Sequence, residues 1–175
     1  GNLTMKEAVN DYIAIRDGVI SPTTIRAYRK YAKFHLGDMG SILAKKVTDK
    51  DMQGKVNELA KKDKEHGEGK LSPKFIKNVI DFFVSVIKYA TNDPNRRFNV
   101  IMPEVIATEP YVPTESELIT LISGTAGTDL NKAIILAICI NDRRGQVCGL
   151  KGKSLNRAAG TINSREALVY DEYGE

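Results

Sequence analysis

Four of the six prolines in the chain stand between positions 94 and 113, and their placement divides it. Proline locks its own φ and removes a backbone donor. A stretch holding Pro94, Pro103, Pro110 and Pro113 therefore continues no helix and sits inside no sheet. Apolar periodicity fades over the same residues, so 93–113 reads as an extended inter-domain linker. It separates a first segment, 1–92, from a second, 114–175, and each must assemble its own core. The other two prolines act differently. Pro22 and Pro73 each follow a serine, a pairing that starts a helix because the serine can cap and proline suits the first helical position.

The first segment reads as four helices. Leu3 to Asp17 carries Leu3 or Met5, Ala8, Val9, Tyr12, Ile13 and Ile15 on one face, and Asp17-Gly18 ends it. From Ser21-Pro22 a second helix runs to about Leu36, with Ile25, Tyr28, Tyr31, Ala32, Phe34 and Leu36 as its apolar set and Gly37 beyond its end. Gly37 to Lys46 reads as a loop. Thr48-Asp49 opens a third helix with Met52, Val56, Leu59 and Ala60 inside, followed by a polar loop from Lys61 to Lys70 that contains His66. Ser72-Pro73 opens a fourth, running to about Thr91, with a wide apolar face of Phe75, Ile76, Val79, Ile80, Phe83, Val86, Ile87 and Ala90.

Charge is unevenly placed along the chain. Residues 1–92 carry a balance of +6 and residues 93–175 a balance of −2, within a total of +4. On the second helix Arg26, Arg29, Lys30 and Lys33 recur at i, i+3, i+4 and i+7, with no acid between Arg26 and Leu36. A stripe of one sign forgoes the i,i+4 ion pairs that stabilise most surface helices. It points to a polyanionic partner, with a plain solvated helix face as the alternative. Lys74, Lys77 and Asn78 add donors near the start of the fourth helix, where anions are already favoured.

In the second segment, Thr114 and Glu117 form a capping-box pattern, and Leu118, Leu121 and Ile122 are the inner side of that helix. Asp129 to Ile140 follows, ending in the run Ala133 to Ile140, so apolar that it reads as a helix buried nearly all round. That helix ends in two adjacent cations, Arg143 and Arg144; Gly145 then allows a tight turn, and Val147 and Leu150 stand at the spacing of one face of a following helix. Residues 161–170 fit one long strand or a strand pair. A terminal strand of that kind is marginal alone, so the segment looks like the front part of a domain.

Several classes are excluded by composition. The chain has two cysteines, Cys139 and Cys148, no CxxC motif, and only His35 and His66 besides, so no structural metal site is expected. Cys139 reads as a small core residue. No apolar run approaches the ~20 residues that span a bilayer. The first residues lack the basic and apolar regions of a signal peptide, which gives an intracellular reading.

The order of parts resembles the tyrosine recombinase, or phage integrase, family. The stretches that carry the resemblance are SPTTIRAYRKYAKFHLGDMG, LSPKFIKNVIDFFVSVIKYATND, YVPTESELITLI and INDRRGQVCGL followed by a strand. The resemblance implies a mainly α fold: a four-helix, SAM-like core-binding domain, then a truncated α+β catalytic domain. It implies double-stranded DNA as the partner, contacted by Arg26, Arg29, Lys30, Lys33, Lys74, Lys77 and Asn78. Other recombinase protomers would join in the full-length parent. No cofactor and no membrane are implied, and the setting would be the cytoplasm of a bacterium, on the nucleoid, with a phage or mobile element as source. Aligned on the family's Arg-x-Gly motif, Arg143 takes the place of the first catalytic arginine, which holds the scissile phosphate.

The sequence departs from that motif at Asp142, where the family has an apolar residue, and at Gln146, where it has an acid. Asp142 could compete with a phosphate for Arg143. The family's strand-turn lysine, His-x-x-Arg motif and tyrosine nucleophile have no counterpart here, and Tyr170 and Tyr173 read as strand or tail residues. Two rival readings stand beside the recombinase: a non-catalytic DNA-binding regulator, and a helical protein-interaction domain with incidental basic stripes.

Overall fold

Ser72 accepts a hydrogen bond from the Phe75 amide (3.2 Å) and starts α4 (Pro73–Thr91), the longest helix and the one around which the first unit is arranged. Its apolar face is wide enough to meet α1 (Met5–Ala14), α2 (Pro22–His35) and α3 (Asp49–Lys61) at once. Ile76, Val79, Phe83, Val86 and Ile87 are fully buried there against Met5, Val9, Ile25, Met52, Val56 and Leu59. The computed structural model describes residues 2–64, 69–105, 107 and 109–168. It divides into two compact units, 1–107 and 108–170.

Local chemistry explains most helix starts. Thr4 with Glu7, and Thr48 with Asp51, form full capping boxes, each satisfying otherwise orphaned amide donors. Asn92 ends α4 in the left-handed region (φ +53°), and Gly37 takes the same conformation after α2. Ser21 does not cap α2; its hydroxyl bonds Thr23 Oγ1 at 2.7 Å instead.

The stretch 37–46, read from the sequence as a loop with at most one short turn around Ser41–Leu43, is part of the core together with Val47. It holds two short 3₁₀ turns, Gly37–Ser41 and Ala44–Lys46, and Met39, Ala44 and Val47 are buried. Backbone bonds from Met5 to Ile42 (2.8 Å) and from Ala44 to Leu3 (2.9 Å) tie it to the start of α1.

Part of the stretch read as linker packs on the first unit. Phe98, Val100 and Met102 pack on the core of the first unit, and Arg96 donates to the Val47 carbonyl at 2.8 Å. Proline forbids a regular element here but not burial of the residues between prolines. Lys62 donates to the Phe34 carbonyl (2.9 Å) and Asp63 bridges to Lys70, so the ends of the 61–70 loop are tied down. His66 lies outside the described residues.

In the second unit, Thr114 and Glu117 form the expected capping box at the start of α5 (Glu115–Gly124). Thr128 caps α6 (Asp129–Ile140), and α7 (Arg144–Gly149) follows. A two-residue antiparallel pair comes next, β1 (Leu155–Asn156) with β2 (Thr161–Ile162), placing Leu155 opposite Ile162. Of the long strand or strand pair read over 161–170, only Thr161–Ile162 is in the sheet; 163–168 form no strand, and 169–170 lie outside the described residues.

The all-round burial anticipated for Ala133–Ile140 is not observed. No residue of α6 is buried, Leu130 and Ile138 are 60% and 45% exposed, and Cys139 is exposed rather than a core residue. An apolar surface is covered only where neighbours exist. Among the described residues, α5 and α7 are the main elements packed against α6.

Candidate nucleic-acid interface

Aromatic stacking sets the spacing of α2 and α4. Tyr28 stacks on Phe82 with ring centroids 4.5 Å apart, and Tyr31 meets Phe75 edge to face at 5.6 Å. Burial raises both phenols above the ordinary tyrosine range, so they stay neutral at physiological pH. Phe82 belongs to neither helix face assigned from the sequence; a contact between two helices recruits a position at the margin of the apolar stripe. Rotation along α2 has a similar result. His35 is buried and Phe34 is 39% exposed, the reverse of the apolar set read from the sequence.

Outside this aromatic floor lie two concavities. One, of about 350 Å³, is walled by Thr23, Thr24 and Ala27 of α2 and by Asn78, Asp81 and Ser85 of α4. The other, of about 550 Å³, lies between Lys30, Tyr31 and Phe34 on one side and Lys62, Ser72 and Phe75 on the other.

The basic stripe does not form a single surface. Residues 29 and 30 point about 100° apart on a helix, so Arg29 and Lys33 line a groove against α1, whereas Lys30 faces α4. The absence of acids along α2 is compensated from outside it: Asp17, beyond the end of α1, pairs with Arg29 at 2.8 Å. Lys33 lies over the Phe34 ring at 5.1 Å. On α4, Lys77 is paired with Asp81 one turn on. Arg26 and Lys74 have no acidic partner among the described residues. Asn78 is exposed, and its side chain makes no hydrogen bond among them.

In the second unit, α6 ends at Asn141, which turns the chain in the left-handed region (φ +52°). Arg143 is the N-cap of α7, and its amide donates to Gln146 Oε1 at 3.2 Å. The amide of Gln146 thus fills the place of an acid as a capping acceptor, without charge. Asp142 forms no ion pair with Arg143; one of its carboxylate oxygens is buried without a hydrogen-bond partner.

The extended segment 166–168 lies along α7, with the Leu168 amide donating to the Gly145 carbonyl at 2.7 Å. A Cβ on Gly149 would stand 2.8 Å from the Glu166 carbonyl oxygen, so this approach requires glycine. Lys151 and Lys153 both engage the Glu166 carboxylate and hold it below its ordinary range. Arg143 itself is exposed. Tyr170 and Tyr173 lie outside the described residues. Among those described, no cluster of residues could hold a metal ion, and no helix is long and apolar enough to cross a membrane.

Two solved structures of the Tn1549 transposon integrase, each in complex with circular intermediate DNA, are similar to this chain. The first matches with a TM-score of 0.65 and 19% identity over 88% of this chain and 50% of its own. The fold is that of an integrase. The second structure of the same protein gives a TM-score of 0.64 and 18% identity, over 97% of this chain and 62% of its own. The chain therefore spans between half and two thirds of the length of those integrase structures. No protein-family model matches the sequence. No curated protein matches it either. At this identity the integrase likeness speaks for architecture, and the roles of single residues rest on their chemistry.

Proposed function

We propose that this chain is the DNA-binding portion of a site-specific tyrosine recombinase, comprising the core-binding domain and the beginning of the catalytic domain. The observation that carries the reading is the α2–α4 pair, braced by Tyr28 on Phe82, in a fold shared over most of the chain with an integrase solved on DNA. In this reading Arg26, Lys30, Lys74 and Lys77 take backbone phosphates. Arg29 and Lys33, on the α1 side, extend the contact along the duplex. Phosphate contacts of this kind give affinity and register rather than sequence choice.

Arg143 is assigned to the scissile phosphate. A planar guanidinium that stays charged at any working pH suits the developing charge of a phosphoryl transition state. Its place at the mouth of α7, fixed by the Gln146 bond to its own amide, aims it from a short rigid element. In the complete polypeptide the reaction would be strand cleavage and rejoining through a phosphotyrosine, with further protomers on the same DNA, as fits a phage or transposon recombinase.

Duplex binding measured across a salt series tests this. Reversing Arg26 and Lys74 to glutamate should weaken binding and lower the log–log salt slope by about 0.9 for each lost phosphate contact. Equal binding of parent and double variant at every salt would remove this face from the interface. A folded parent with no affinity for duplex DNA would favour a helical protein-interaction domain.

A further inference from the structure

The concavity between α2 and α4 differs in chemistry from the cations around it. None of the residues lining it is a lysine or arginine. Asp81 places a carboxylate at its wall, held by Lys77 from outside, and the Ser85 hydroxyl is committed to the Asp81 carbonyl at 2.8 Å. A phosphate is therefore disfavoured at this spot, although cations surround it. Asn78 has both its amide NH₂ and its C=O available, and Thr24 and Ala27 contribute small apolar groups opposite.

Such a set matches the edge of a base better than a backbone. A side-chain amide offers a donor and an acceptor side by side, the complement of adenine N7 and N6 in the major groove. The methyls of threonine and alanine suit the C5 methyl of thymine. Resting on the DNA-binding reading above, we propose that the Thr24–Ala27–Asn78 concavity is a base-reading subsite. In it Asn78 pairs with an adenine edge, and a neighbouring thymine methyl lies against Thr24 and Ala27. Arg26, Lys30 and Lys74 hold the flanking phosphates and bring the groove into register.

The test is selection from a random duplex library with the full chain and three variants, each checked for its helical circular dichroism. The parent should enrich adenine at one position, by about tenfold over guanine. Asn78→Ala should lose the preference at that position. Asn78→Asp should redirect it toward cytosine, whose N4 amino group a carboxylate accepts from. Lys74→Ala should bind more weakly, with a salt slope smaller by about 0.9, and keep the preference. The subsite is overturned if Asn78→Ala enriches the same sequence as the parent, or if the parent binds duplex DNA with no preference. No duplex binding by the folded parent would overturn the DNA-binding reading, and the subsite with it.

Discussion

Gln53 and Ile101 pair as two strands would: the Ile101 amide donates to Gln53 Oε1 at 2.7 Å, and Gln53 Nε2 donates back to the Ile101 carbonyl at 3.2 Å. A single side chain on α3 thus satisfies both backbone groups of a residue 48 positions away. With Arg96 on Val47, it straps 96–102 to the first unit. Gln53→Ala should release this strap. The loss is about 1 kcal/mol of stability for exposed bonds, read as a lower melting temperature. Limited proteolysis should move from the region after Met102 in the parent to 97–102 in the variant. An unchanged cleavage pattern would mean that Phe98 and Met102 hold the segment alone.

Gly149 and Gly152 make a matched pair for the second unit. A Cβ at 149 meets backbone at 2.8 Å, whereas at 152 nothing lies within 4 Å. Gly149→Ala should destabilise the unit by about 1–3 kcal/mol, the usual cost of forcing atoms into a packed contact, while Gly152→Ala should be close to neutral. Hydrogen exchange at the Leu168 amide reads the difference directly. Equal protection in both variants would show that 166–168 does not depend on α7.

Lys55 is buried on the inner side of α3, and its ammonium meets Glu58 at 2.6 Å, while Glu58 is half exposed. Removing one partner of a charge pair strands the other, and the stranded charge here is the buried one. Glu58→Ala should therefore cost about 1–3 kcal/mol. Lys55→Met, which keeps the buried stem and drops the charge, should cost less. Denaturant midpoints of the two variants decide it, and the opposite order would mean that the Lys55 ammonium reaches water.

Glu117 titrates low, at about 2, because Tyr111 donates to its carboxylate, with further hydrogen bonds from the Thr114 amide and hydroxyl. A carboxyl lowered in the folded state stabilises it above the unfolded pKa, and that contribution fades as the pH falls through the folded one. The window here runs from about pH 4.5 down to about 2. Tyr111→Phe should raise the Glu117 midpoint toward the ordinary glutamate value in a carboxyl-resolved NMR titration. An unmoved midpoint would place the whole effect on Thr114.

Arg143→Ala should leave most of the duplex affinity intact, since α2 and α4 carry it. Residues 1–175 should also form no SDS-resistant adduct with a nicked suicide duplex. Covalent capture needs a nucleophile and a proton donor beside the arginine. An adduct would show that a residue of this chain attacks the phosphate.

Most helix starts and the long apolar faces follow from residues close together in the chain. The starts at Ser72-Pro73, at Thr48-Asp49 and at Thr114 with Glu117 rest on bonds spanning three residues, so their outcome is local and legible. The mainly helical class was legible for the same reason, whereas Arg143, read as closing the preceding helix ahead of a turn at Gly145, stands at the entrance of α7 with Gly145 inside that helix. What those faces meet depends on packing between elements distant in the chain. Arg29 and Lys33 line one groove and Lys30 another because α1 and α4 flank α2 on different sides, and Asp17 reaches Arg29 from outside the helix. Phe82 became the partner of Tyr28, and residues after Pro94 joined a core that their prolines argued against. The apolar run of α6, read as buried, is only partly covered, because hydrophobic periodicity reports what a surface favours and not whether a neighbour is there to cover it.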